Sequence, residues 1–296
     1  MTFETTVPRI LFIDSYDSFT FNLVSLCRGY PDCAVHIIKN DAFTIEQLLP
    51  FLPLFSAVVV GPGPGSPQND QDIGVIKDLW GLAANVLLPI FGVCLGLQSL
   101  GVAYGARLER LNVVKHGQAS LIHHTGRELF EGVGLVEAVR YHSLHVTLLD
   151  AGEVEQLAWA DDGSENGLVV MAMRHTSKPF WAVQYHPESV CTQGGGRDVV
   201  SNFWSLAQTW SNKHGRRTSM ELLSFLYFWK SSQIVSTRIL DLPNLTARQV
   251  CELFGVANDE SPFVLLDSAA QPGRHSIIGS LLPSSPQLSY FVGTPM

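Results

Sequence analysis

The chain has 296 residues, 46% hydrophobic and 16% charged, with too much to bury and too little repulsion for a disordered or nucleic-acid-coating protein. At about 150 residues per domain, two globular units are expected. Nineteen basic against 27 acidic side chains give a net charge of −8, so no overall field draws in DNA or an acidic membrane surface. Small molecules and protein partners are favoured.

Residues 1–9 hold no apolar stretch that could act as a secretory signal. Short aliphatic runs at 10–13, 35–38, 57–60 and 90–93 then alternate with helical patterns, the mark of a parallel sheet covered by helices. The first helix is expected to start at Ser18, whose hydroxyl can cap it, with Phe19, Leu23 and Leu26 on one face. Residues 86–106 carry no charge over a bilayer-crossing length, yet Pro89, Gly92, Gly96, Gly101 and Gly105 punctuate them as strand, turn and small-residue helix. Beyond Gly105, alternating runs at 119–122, 136–141, 168–174 and 180–183, with Asp162-Gly163 and Asn166-Gly167 as turns, predict antiparallel or mixed additions. A helix closes the unit, with Val199, Val200, Phe203, Trp204, Leu206, Ala207 and Trp210 forming a broad apolar stripe. This predicts an α/β domain over 1–210, a mostly parallel sheet with flanking helices. A polar linker follows at 211–217, then a partial α+β segment at 218–296 with a strand at 237–240, a helix at 246–254 and a strand at 263–266. The five cysteines, Cys27, Cys33, Cys94, Cys191 and Cys251, are odd in number and show no CxxC spacing, which suits a cytoplasmic protein with free thiols and no metal site.

The chemistry concentrates in Phe91-Gly92-Val93-Cys94-Leu95-Gly96-Leu97-Gln98, where a strand runs into a glycine-flanked cysteine and then a helix. Such a nucleophile elbow lifts the thiol off the sheet, and the helix start offers free N–H groups to an oxyanion. A lone cysteine would read better as a buried core residue; a base changes the balance. Gln184-Tyr185-His186-Pro187-Glu188 supplies one: His186 can move the proton and Glu188 can orient and stabilise the imidazole. Gly61-Pro62-Gly63-Pro64-Gly65-Ser66-Pro67 follows a strand as a dinucleotide loop would, but its prolines remove the donors a phosphate cradle needs. A stiff loop of this kind can instead present N–H groups beside that of Leu95.

From about Ile10 to Trp210 the chain resembles the class I, triad-type glutamine amidotransferases. The resemblance rests on IDSYDSFT (13–20), PGPGSP (62–67), GVCLGLQ (92–98), KHG (115–117), YHSLHV (141–146) and QYHPES (184–189), in the family's order. It implies a flavodoxin-like fold and the triad Cys94, His186 and Glu188. It also implies an oxyanion hole from the Gly63 and Leu95 N–H groups, and L-glutamine held by Gln98 and the backbone of Ser143 and Leu144. Asp14 and Asp17 are then residues of a strand end and a helix start, not metal ligands, and no cofactor is implied for this domain. Leu97 departs from the His that many relatives in the chorismate branch carry, while the triad itself is complete.

Downstream, Phe263-Val264-Leu265-Leu266-Asp267-Ser268 and Gly273-Arg274-His275-Ser276-Ile277-Ile278-Gly279 resemble the opening of chorismate-utilising enzymes. A glutaminase placed before a chorismate domain is the order of fused, fungal-like aminodeoxychorismate synthases, so ammonia for 4-amino-4-deoxychorismate and para-aminobenzoate (folate) synthesis is the expected output. On this reading the chain is truncated, a chorismate-utilising synthase domain in cis or in trans is the partner, and magnesium belongs to that domain alone. The alternatives are the glutaminase component of anthranilate synthase, a non-catalytic interaction module, and a γ-glutamyl peptide hydrolase; the last leaves the chorismate-like tail unexplained.

Overall fold

The computed structural model describes residues 8–29, 33–149 and 152–218, together with the backbone of two strands at 263–267 and 276–280. In chain order the elements are β1 (Arg9–Asp14), α1 (Thr20–Arg28), β2 (Ala34–Lys39), α2 (Ile45–Leu48), β3 (Ala57–Val60), α3 (Asp70–Ile73) and α4 (Ile76–Leu79). There follow β4 (Ile90–Val93), α5 (Leu95–Ala103), β5 (Arg107–His124), β6 (Val136–Thr147), β7 (Val154–Asp161), β8 (Leu168–His175), β9 (Phe180–Val183) and α6 (Arg197–Lys213). The chain divides into two units, Met1–Ser232 and Gln233–Met296.

One sheet of nine strands organises the first unit, in the order β2-β1-β3-β4-β9-β8-β7-β5-β6. The half from β2 to β9 is parallel and the remainder antiparallel. The parallel strands read as unbroken apolar runs because both faces are covered. In β1, Ile10 and Phe12 join the core under α1 and α6, while Leu11 and Ile13 join the core under α2, α4 and α5. The 86–106 stretch resolves into β4, the turn at Cys94 and α5, as its punctuation predicts.

Several boundaries differ from the sequence reading. The first helix starts at Thr20, with Phe19 at its N-cap and no capping side-chain bond. The Asp14 carboxylate instead orders the turn before the helix: it accepts from the N–H of Tyr16 at 2.8 Å and the Thr20 hydroxyl at 2.8 Å and pairs with Lys39, while Asp17 accepts from the Phe19 N–H at 2.7 Å. Phe19 therefore leaves the helix face on which Leu23 is buried. Strand β9, expected among the antiparallel or mixed additions, is mixed, parallel to β4 and antiparallel to β8, while β7 has no counterpart in the sequence reading. Helix α6 runs to Lys213, three residues past Trp210, and in the expected linker Arg216 donates to the Leu52 carbonyl at 3.0 Å. In the second unit the described strands β10 (Phe263–Asp267) and β11 (Ser276–Ser280) pair antiparallel, Leu265 opposite Ile278. The strand at 237–240 and helix at 246–254 lie outside the described residues.

Candidate active site

The register of two neighbouring parallel strands assembles the site. Val93, the last residue of β4, lies opposite Val183, the last of β9, and the Cys94 N–H continues the ladder to the Val183 carbonyl at 2.8 Å. Cys94 and Gln184-Tyr185-His186 thus leave the sheet side by side at the carboxyl ends of its strands, where open α/β sheets place their sites. Cys94 takes φ 53 and ψ −99, a region costing about 1–3 kcal/mol for a residue with a Cβ. Glycines make the turn possible: a Cβ on Gly92 would lie 2.7 Å from the Gly96 carbonyl carbon, and one on Gly96 2.8 Å from the Val60 carbonyl oxygen. Helix α5 is thereby pressed onto β3 and β4, and its first N–H, that of Leu95, has no intrahelical acceptor.

His186 is fixed at both ends of its peptide, its N–H donating to the Val139 carbonyl at 2.9 Å and its carbonyl accepting from the Thr192 hydroxyl at 2.8 Å. Its Nδ1 lies 2.6 Å from Glu188 Oε1, and both side chains are buried. An ionised carboxylate only accepts, so Nδ1 carries the proton and Nε2 is left for the thiol. Nε2 is buried and makes no hydrogen bond of normal geometry, facing the Cys94 thiol closely enough to feel it. Burial opposes the charged imidazole, but the Cys94 sulfur and the Glu188 carboxylate outweigh it and hold His186 well above its ordinary proton affinity. Two half-exposed rings wall the imidazole on its outer side, Phe19 with its centroid at 6.4 Å and Tyr141 at 5.8 Å.

Gly63 is wedged where the loop after β3 meets this corner. A Cβ there would lie 2.4 Å from Ser15 Cβ and 3.1 Å from a methyl carbon of Leu95, so Gly63 is packed between Ser15 and the Leu95 side chain. Gln98 is buried on α5 and spends both Nε2 hydrogens, on the Leu144 carbonyl at 2.9 Å and on Gln184 Oε1 at 3.2 Å. Ser143 and Leu144, in β6, are only half-buried. All eight residues singled out from the sequence therefore lie on the elements that converge on Cys94. Sequence reasoning missed Gln184, whose Nε2 stands 3.5 Å from Cys94 Sγ, and the covering role of Phe19 and Tyr141. Gln184 had a signal, being the first residue beyond β9 beside the elbow strand. Asp14 is occupied by Tyr16, Thr20 and Lys39, as a residue of a strand end should be.

Comparison with known proteins accords with this geometry. The sequence profile of the family "Glutamine amidotransferase class-I" matches residues 11–206. Aminodeoxychorismate synthase of Saccharomyces cerevisiae is 44% identical over 224 residues, 70% of this chain and 28% of the relative. A provisionally named aminodeoxychorismate synthase of Schizosaccharomyces pombe is 31% identical over 287 residues, 92% of this chain and 38% of the relative. Anthranilate synthase component II of Haloarcula marismortui is 39% identical over 197 residues, 66% of this chain and 90% of the relative. The fold is shared with a provisionally named GMP synthase subunit from Thermoplasma acidophilum, at a TM-score of 0.59 and 20% identity, covering 71% of this chain and 98% of that one. The protein carries a mixed α/β fold with a cysteine elbow beside a His–Glu pair, and its class is that of the glutamine-dependent amidotransferases. The chain belongs to the class I glutamine amidotransferase family. It spans between about a quarter and two fifths of the length of the two yeast relatives.

Proposed function

We propose that this chain hydrolyses the side-chain amide of L-glutamine and hands the ammonia to a chorismate-utilising synthase domain. The observation that carries the reading is the 2.6 Å His186–Glu188 contact beside a cysteine on a strained elbow. The Cys94 thiolate attacks the amide carbon, and the oxyanion is met by the N–H groups of Leu95 and Gly63. His186, charged and held by Glu188, gives its Nε2 proton to the departing nitrogen, and ammonia leaves with the γ-glutamyl group bound to sulfur. Water then gives up a proton to Nε2 and attacks the thioester, releasing glutamate and restoring the thiolate–imidazolium pair. Gln98 and the Ser143–Leu144 backbone hold the glutamine. Every step uses protein groups, so this domain needs no cofactor; magnesium belongs with the synthase domain, and the setting is the cytoplasm.

For the destination of the ammonia, the Schizosaccharomyces pombe relative supports amination of chorismate to 4-amino-4-deoxychorismate, because its match continues over 92% of this chain and so reaches beyond the amidotransferase family match. The second reading, the glutaminase component of anthranilate synthase, draws on the Haloarcula marismortui protein, of which this chain covers 90%. On the first reading the domains divide at 1–210, 211–217 and 218–296. Complementation of a para-aminobenzoate auxotroph and of a tryptophan auxotroph by this chain with a synthase domain decides between them. Rescue of the first strain alone is expected; rescue of the tryptophan strain alone would move the assignment to anthranilate.

A further inference from the structure

The Leu144 carbonyl lies on the last strand of the sheet, beside a break in the β5–β6 ladder. Strand β6 pairs with β5 at Leu144 opposite Arg110 and at His142 opposite Lys115, so four residues of β5, 111–114, bulge against the single residue Ser143. A bulge leaves the opposing ladder locally unpaired and its peptide planes weakly determined. At this bulge two side chains from the protein interior converge on the Leu144 oxygen. Gln98 Nε2 donates at 2.9 Å, and His142 Nδ1 lies 2.9 Å away.

The His142 ring is itself held in one state. Arg140 Nε donates to His142 Nε2 at 3.1 Å, which makes Nε2 the acceptor and puts the ring proton on Nδ1, aimed at Leu144. Burial first, and the neighbouring guanidinium second, drive His142 down to about 3, so the ring stays neutral. Arg140 has no exposed surface and is clamped by Asp162 through two bonds of 2.6 and 3.1 Å, with Ser120 Oγ at 3.3 Å. Asn166 donates to the same carboxylate at 2.8 Å. Fork-to-fork pairing of this kind fixes orientation as well as charge. Beyond Leu144 the chain of bonds passes through Gln98 to Gln184 and ends at Cys94 Sγ.

We propose that His142 is a positioning residue for glutamine binding: held by the Arg140–Asp162 pair, it fixes the Leu144 carbonyl, and through Leu144 the adjoining Ser143–Leu144 backbone beside the β5 bulge. The inference rests on the reading of that peptide as the substrate's seat. His142 itself touches neither substrate nor thiol, and its effect runs through the Leu144 carbonyl.

Two substitutions separate the two bonds of the ring. In His142→Asn the amide nitrogen stands the same number of bonds from Cβ as Nδ1 and can donate to Leu144, while the contact to Arg140 is lost. In His142→Gln the amide oxygen replaces Nε2 as acceptor for Arg140, while the bond to Leu144 is lost. Both remove the ring, so loss of packing affects them alike. The readout is calorimetric Kd for L-glutamine in a Cys94→Ala background, with thermal melts alongside. A neutral hydrogen bond worth about 1 kcal/mol corresponds to about a fivefold change. His142→Gln is expected to weaken glutamine binding by about that factor, and His142→Asn to recover most of it at a similar melting temperature. Should the Gln variant fail to fold, Arg140→Lys keeps the charge against Asp162 without the Nε donor, and is expected to weaken binding about threefold. Equal affinities in the Asn and Gln variants, or an unchanged affinity in Arg140→Lys, would overturn the positioning role and leave the glutaminase reading intact. Failure of the Cys94→Ala parent to bind L-glutamine would overturn the substrate assignment itself, and the positioning role with it.

Discussion

Glu188→Gln isolates the charge of the carboxylate from its shape. The amide can still accept from His186 Nδ1 across the 2.6 Å contact, so the ring can keep its place. What is lost is the attraction between Glu188 and the imidazolium. Two unit charges with centres about 4 Å apart at an effective dielectric of about 20 attract by about 4 kcal/mol. Removing that from the steps in which His186 is charged should lower kcat/KM by about 10³-fold. The expected pH behaviour follows from the same contact. Cys94 and Glu188 together raise His186 against the effect of burial, so the alkaline limb, where the imidazolium is lost, lies well above ordinary histidine in the parent and moves down in the variant. The stability contribution has the same sign. A histidine raised on folding stabilises the fold in full below its unfolded value of about 6.5 and ceases to do so as pH rises through the folded value. The melting-temperature gap between parent and variant should therefore be widest near pH 6 and close at alkaline pH. Glutamate release across pH, with parallel melts, tests both. A loss below tenfold, or an alkaline limb that does not move, would refute the charge role of Glu188.

Three further outcomes are expected. Gly63→Ala places a Cβ 2.4 Å from Ser15 Cβ, so the loop and its N–H must move; steady-state glutamate release should fall about 10²–10³-fold in kcat with little change in KM. In Gly96→Ala the new Cβ would stand 2.8 Å from the Val60 carbonyl oxygen, and calorimetry should show a destabilisation of about 1–3 kcal/mol with a lower Tm. Adding a separately expressed chorismate-utilising domain should raise glutamate release by this chain, since ammonia release is useful only when coupled; high activity indifferent to that partner would contradict the coupling.

The site was more legible in the sequence than the sheet that carries it. Cys94 could be read locally because the elbow is a short-range device, two glycines and a cysteine between an apolar run and a helix. His186 and Glu188 sit two residues apart across Pro187, so their contact needs little tertiary information. Strand β7 is hidden in the sequence because its run, Val154 to Asp161, places Glu155 and Gln156 side by side and Leu157 and Ala158 side by side, without clean alternation. The parallel placement of β9 depends on which strand it finds, information that a four-residue run does not hold. Phe19 has the spacing of a core residue on α1, yet the Asp14 turn stops it short of the helix and leaves its ring beside Tyr141 and His186. The Arg140–Asp162 and Gln98–Gln184 contacts join residues 22 and 86 positions apart, and no local pattern marks such pairs.

Peptide mapping after treatment with 6-diazo-5-oxo-norleucine shows whether Cys94 is the nucleophile toward a glutamine-shaped substrate. One adduct per chain is expected, on Cys94, suppressed by excess L-glutamine and absent from Cys94→Ala. An adduct on Cys27, Cys33, Cys191 or Cys251 instead, or labelling indifferent to glutamine, would show that Cys94 is not the nucleophile.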